Sequence, residues 1–146
     1  DDVESRGLGD VYKRQRHGLP CELERIHEPC RYSMEDGYQG ARRLLERDPG
    51  VTALFALGDV IALGAVRAIR DLGLRIPEDI SLIGYDGTAF SRYCVPRLTT
   101  IRQDAAQLAR RGVQSLLDSI QRAAPPVHDF IPHALLEQES VCPPAR

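Results

Sequence analysis

At 146 residues the chain is long enough for one domain with a sizeable core and short for two. Its 42% hydrophobic and 27% charged composition is that of an ordinary globular protein. The net charge of −2 gives the chain no basic footprint for nucleic acid.

Residues 1–15 (DDVESRGLGDVYKRQ) carry no strand or helix period beyond a turn. Residues 10–15 resemble the translation of a sequencing-library adapter, so the native frame is expected to begin near Arg16; the alternative is a natural disordered tail. His17-Gly18-Leu19-Pro20 reads as a connection. Residues 24–28 (ERIHE) allow a short polar edge strand, and His17 and His27 read as surface residues. Ser33 followed by Asp36 outlines a capping box, and Tyr38, Ala41, Leu44 and Leu45 mark an amphipathic helix to about Arg47. Asp48-Pro49-Gly50 ends it with turn chemistry.

The most informative stretch is 51–86. Residues 53–58 form a short apolar run that stops at Gly58-Asp59, and Asp59 is placed as the N-cap of a helix. Ile61, Ala65, Ile69 and Leu72 line one face of that helix, Gly73 caps its end, and Pro77 prevents it from resuming. Ile80, Leu82 and Ile83 begin a second strand that ends at Asp86. Two strands joined by such a helix are expected to be parallel neighbours. After Asp86 comes a connection of about ten residues with Phe90, Tyr93 and Pro96. Residues 98–101 (LTTI) read as a strand. From Asp104, apolar or small residues at 105, 108, 109, 112, 113, 116, 117 and 120 predict a long helix, closed by Ala124-Pro125-Pro126. Residues 127–131 and 134–139 read as two short strands about Pro132, a possible terminal hairpin, with 142–146 a tail.

In open parallel sheets, ligands sit beyond the carboxyl ends of the strands, where Gly58, Asp59 and Asp86 fall. Asp86 has two open readings, a carboxylate that holds ligand hydroxyls or a cap of the next turn. Capping accounts for Asp59, and Gly58 eases the strand-to-helix turn. No G-x-S-x-G elbow, P-loop or H-E-x-x-H occurs, and no His or Cys lies near the two carboxylates in sequence. No catalytic residue, metal ligand or cofactor is therefore assigned. Cys21, Cys30, Cys94 and Cys142 are scattered, without C-x-x-C, and read as free thiols of a cytoplasmic α/β protein. No apolar run reaches the ~20 residues of a membrane span, and no secretory signal opens the chain. Phe90 and Tyr93 fit packing or subunit contact better than base stacking.

Residues 73–80 (GLRIPEDI), 83–86 (IGYD) and 96–101 (PRLTTI), at these spacings, resemble the effector-binding region of LacI/GalR-type bacterial transcription regulators, over about 17–141. The resemblance implies an α/β fold, part of a type I periplasmic-binding-protein-like domain with a parallel sheet flanked by helices, over residues 16–141. It also implies a small effector, usually a sugar or nucleobase, homodimers, and operator DNA bound through a helix-turn-helix that these residues do not contain. Position by position, Asp86 matches a ligand-contacting Asp. Gly58 stands where many members have a ligand-contacting Asn, and Asp59 matches the acidic neighbour of that Asn. Gln103 and Ala105 match positions near the pocket, the Ala removing any aromatic wall. Gly87 replaces a frequent second Asp, and Gln138 replaces a frequent Arg. The helix that carries Val60 and Leu63 and the loop around Tyr93 lie where members often dimerise. A sugar-binding protein of an ABC uptake system is the alternative reading; the PED and LTTI segments favour the regulator.

Overall fold

The computed structural model describes residues 13–18, 27–122 and 129–144. Its ordered elements run α1 (Met34–Arg47), β1 (Ala53–Phe55), α2 (Asp59–Asp71), β2 (Ser81–Asp86), a 3-10 turn (Ala89–Arg92), β3 (Thr99–Gln103), α3 (Ala105–Arg122) and β4 (His133–Leu136). The four strands form one sheet in the order β1-β2-β3-β4. β1 pairs parallel to β2, and β2 parallel to β3. β4 runs antiparallel to β3, so the expected parallel sheet is mixed at one edge. β4 thus pairs with a strand 30 residues upstream rather than closing a local hairpin; residues 129–131 have no strand structure, and 127 and 128 lie outside the described residues. His27 and Glu28 likewise form no edge strand, and the rest of that run lies outside the described residues. Glu28 instead pairs with Arg43 at 2.5 Å and Arg47 at 3.3 Å, which ties the incoming chain to α1.

Local chemistry accounts for the helix ends. Ser33 Oγ accepts from the Asp36 N–H at 3.0 Å, the cap expected at the start of α1. The Asp36 carboxylate accepts from the Ser33 hydroxyl at 2.6 Å instead of from the Ser33 backbone N–H, so the capping box is half made. α2 ends in a Schellman motif: Leu74 N–H donates to the Ile69 carbonyl and Gly73 N–H to the Arg70 carbonyl, with Gly73 at φ +75°. Asp104 caps α3 through the Gln107 N–H at 2.9 Å.

The core lies where α1 and α2 pack on each other and on the sheet: Ala41, Leu45, Ala62, Ala65, Ile69, Leu82 and Leu98 are buried there. The two helices cross at Gly37 and Gly64. A Cβ at Gly64 would run into the Met34 carbonyl oxygen, and one at Gly37 into that of Ile61. The apolar face predicted for α2 is buried. That of α3 is not: Leu108, Val113, Leu116, Leu117 and Ile120 are all exposed. The segment after β4 is fastened to β2 and β3 by Ser140, whose Oγ accepts from the Thr99 N–H at 2.8 Å and donates to the Leu82 carbonyl at 2.5 Å.

Candidate functional site

The carboxyl ends of β1, β2 and β3 bring Gly58, Asp86 and Gln103 to one edge of the sheet. β2 ends at Asp86, which lies level with Arg102 of β3, one residue before Gln103. Asp86 is the only described residue other than glycine with a positive φ, at +104°. A residue with a Cβ is strained there, and such strain persists where surrounding contacts over-determine the backbone. Both carboxylate oxygens are held. Oδ1 accepts from Gln103 Nε2 at 3.2 Å, and Oδ2 from the Tyr32 hydroxyl at 2.6 Å. The bond to the carboxylate raises the Tyr32 hydroxyl above the usual phenol range, so it stays a donor. Asp86 therefore does not cap the next turn through its side chain; it faces side chains from two other segments.

Asp59 corrects the sequence reading. Gly58 is the N-cap of α2, in extended backbone and with no side chain to cap with, and Asp59 is the first helical residue. Its carboxylate turns away from the helix and is fully buried. Oδ2 accepts from the Thr88 N–H at 2.6 Å and the Thr88 hydroxyl at 2.8 Å, and Oδ1 from the Thr100 hydroxyl at 2.6 Å. Thr100 Oγ1 in turn accepts from the Gly87 N–H at 3.3 Å. A buried carboxylate with three donors is satisfied, and this one fastens the turn after Asp86 to α2 and β3. Gly84 belongs to the same unit, because a Cβ there would strike Asp59 Oδ1 and Leu98 Cδ2. Asp59 thus braces Asp86 from behind and presents no oxygen to the open edge.

Tyr32 is the residue that sequence reasoning missed. Its ring lies over Gly58, so closely that a Cβ at position 58 would meet Cε2. The signal was present in outline: a lone Tyr just before a helix N-cap, upstream of a glycine at a strand end. Only the fold brings these two together. Ala105 opens α3 beside Gln103 and adds no wall to the edge. Gln138, for which the sequence offered no role, stays away from the edge; its amide donates to the Leu98 carbonyl and, at 3.4 Å, to that of Ser91.

The surface expected to dimerise is a separate patch. Val60, Leu63 and Arg70 fall on one face of α2, and the Arg70 guanidinium donates to the Val95 carbonyl. Val60 and Leu63 are half-buried, while Tyr93 is 83% exposed, with Phe90 and Val95 also open on the same loop. Cys30, Cys94 and Cys142 are free thiols, and Cys21 lies outside the described residues. Among the described residues no group of three or more His, Cys, Asp or Glu side chains is arranged to hold a metal ion. No helix among them is long and apolar enough to cross a membrane.

A mostly parallel sheet with helices packed on it is the architecture of an open α/β protein. The chain matches the model of the periplasmic binding protein-like domain over residues 4–141, and it belongs to that family. Within it, the likeness is to the effector-binding domain of LacI-type regulators. The chain is 48% identical over 98 residues to the HTH-type transcriptional repressor PurR of Haemophilus influenzae, covering 67% of this chain and 28% of that protein. The structure of the transcriptional regulator CelR in complex with cellobiose matches with a TM-score of 0.82 at 28% identity, over 87% of this chain and 39% of the other. A LacI family regulator from Enterococcus faecium with bound ribose matches with a TM-score of 0.72 at 33% identity, over 92% and 47%. The chain thus spans less than a third of the length of its curated relative.

Proposed function

We infer that this chain is one wall of the effector pocket of a LacI-type transcriptional repressor, working in the cytoplasm as a non-enzymatic sensor. The observation that carries this reading is Asp86, a carboxylate in strained backbone at the carboxyl edge of the sheet, with a hydroxyl and an amide converging on it. Two carboxylate oxygens suit a ligand rich in hydroxyl donors, and sugars are bound in two of the matching structures. Asp86 and Gln103 contact the ligand in this reading; Gly58 offers backbone and space, and Asp59 acts through the turn it holds. Operator DNA is contacted through a helix-turn-helix outside these residues, consistent with the net charge of −2.

The loop at Tyr93 and the face of α2 with Val60 and Leu63 form the homodimer contact of the whole protein. Exposed aromatic and apolar residues of this kind are enriched in the cores of such interfaces. Effector binding biases the equilibrium between arrangements of the dimer and so changes operator affinity.

The test is a thermal-shift titration of the full-length protein with a panel containing ribose and cellobiose, with Asp86→Ala as control. A stabilising sugar in the parent whose effect is reduced at least tenfold in concentration dependence by Asp86→Ala is the expected result, a loss of about 1.4 kcal/mol or more. An equal response in the variant removes Asp86 from the site.

A further inference from the structure

The loop that carries Tyr93 leaves the 3-10 turn at Ser91 and returns to β3 through Leu98. Ser91 and Leu98 are fully out of solvent, while Tyr93 and Val95 between them stand open. The Leu98 N–H draws the two ends together on the Ser91 carbonyl at 2.8 Å. A single side chain from the far end of the chain then bridges them. The Gln138 amide donates to the Leu98 carbonyl and, at 3.4 Å, to the Ser91 carbonyl, and the Gln138 backbone N–H donates to Thr99 Oγ1 at 2.9 Å. An NH2 group carries two donors, and two carbonyls accept them here. The next residue holds the returning leg. Glu139 N–H donates to the Arg97 carbonyl at 3.0 Å, and the Glu139 carboxylate accepts from the Arg97 N–H and Nε, both at 2.8 Å. The tip of the loop is tied separately, by the Arg70 guanidinium of α2 on the Val95 carbonyl.

Resting on the homodimer reading above, we propose that Gln138 is a positioning residue for the dimer contact: it bridges both ends of the Tyr93 loop and so orders that loop before a partner arrives. Gln138 itself lies behind the loop, on buried carbonyls, and works through Ser91 and Leu98. A loop ordered in advance loses less conformational entropy on association, which strengthens the contact without adding to it. The chemistry required at position 138 is a side chain with two donors. Arginine supplies them as well, whereas a methionine of similar length fills the space and supplies none.

Sedimentation equilibrium of the full-length protein tests this through the dimer dissociation constant of the parent, Gln138→Met, Gln138→Arg and Tyr93→Ala. Gln138→Met should raise the constant about three- to tenfold, and Gln138→Arg should return it to the parent value. Hydrogen exchange followed in parallel should be faster in Gln138→Met over residues 91–98, with α1 and α2 unchanged. A Gln138→Met dimer as tight as the parent's, with Tyr93→Ala weakened, overturns the proposal and leaves the contact reading standing. A weakening that Gln138→Arg fails to reverse also overturns it, as does exchange raised evenly across the core, because both report a general loss of structure. A Tyr93→Ala protein as dimeric as the parent defeats the contact reading instead, and with it the role of Gln138 in dimerisation.

Discussion

Asp59 shows how one side chain can serve a site without touching its ligand. The carboxylate is out of solvent, and the three donors it accepts from lie 29 and 41 residues further along the chain. Replacing it by alanine leaves the Thr88 N–H and two hydroxyls facing a small void, and hydrogen bonds to a charged group are each worth more than neutral ones. Asp59→Ala should therefore cost roughly 2–4 kcal/mol in equilibrium denaturation. Its hydrogen exchange should show the turn at 87–88 opening more readily than α1. Asp59→Asn should fall between the two proteins, because its carboxamide oxygen replaces one acceptor while its NH2 faces donors. A denaturation midpoint unchanged in Asp59→Ala would mean that the turn holds itself and that Asp59 is incidental to Asp86.

At the scale of elements, the α1–α2 crossing decides whether the core forms. The helices meet backbone to backbone because Gly37 and Gly64 face each other's partner helix without side chains. Gly64→Ala would favour an isolated helix by up to about 1 kcal/mol through propensity. In this structure the added methyl meets the Met34 carbonyl, which belongs to backbone and cannot rotate aside. Overpacking should win, and Gly64→Ala should destabilise by about 1–3 kcal/mol in urea denaturation. A stabilised variant would show that the helices are free to separate. The same elements show what was legible in the sequence. Ser33 and Gly73 announced their helix ends because a cap acts within a few residues of itself. The βαβ unit and its Asp86 edge were legible because strand ends and periodicity are also local. Asp59 was misread, since an Asp at a helix start looks the same whether it caps or reaches across to β3. Tyr32 was missed and the pairing of β4 was misassigned for a related reason: their partners are 54 and about 33 residues away, and register over such distances is set by packing.

For the molecule as a whole, the unbalanced feature is α3. Its apolar stripe was the most regular in the sequence, and yet Ile120 is 71% exposed and Leu108, Val113, Leu116 and Leu117 stand open beside it. Each such side chain would contribute about 1.5–3 kcal/mol if it were removed from water. A contiguous apolar face of this length is unusual on a monomer and marks a contact surface or an aggregation liability. The chain spans 28% of the length of its PurR relative, so a protein of that size has ample further sequence to cover the stripe. The 146 residues alone are accordingly expected to bind a hydrophobic dye and to associate with rising concentration in sedimentation velocity. Leu116→Glu combined with Ile120→Glu should suppress both signals, and far-ultraviolet circular dichroism should show the helical content retained. In the full-length protein the same pair should do the opposite and destabilise, because two carboxylates would then be buried against an apolar partner. A double variant without effect in either setting would show that the stripe is never covered, and α3 would then be a solvated helix whose periodicity carries no packing role.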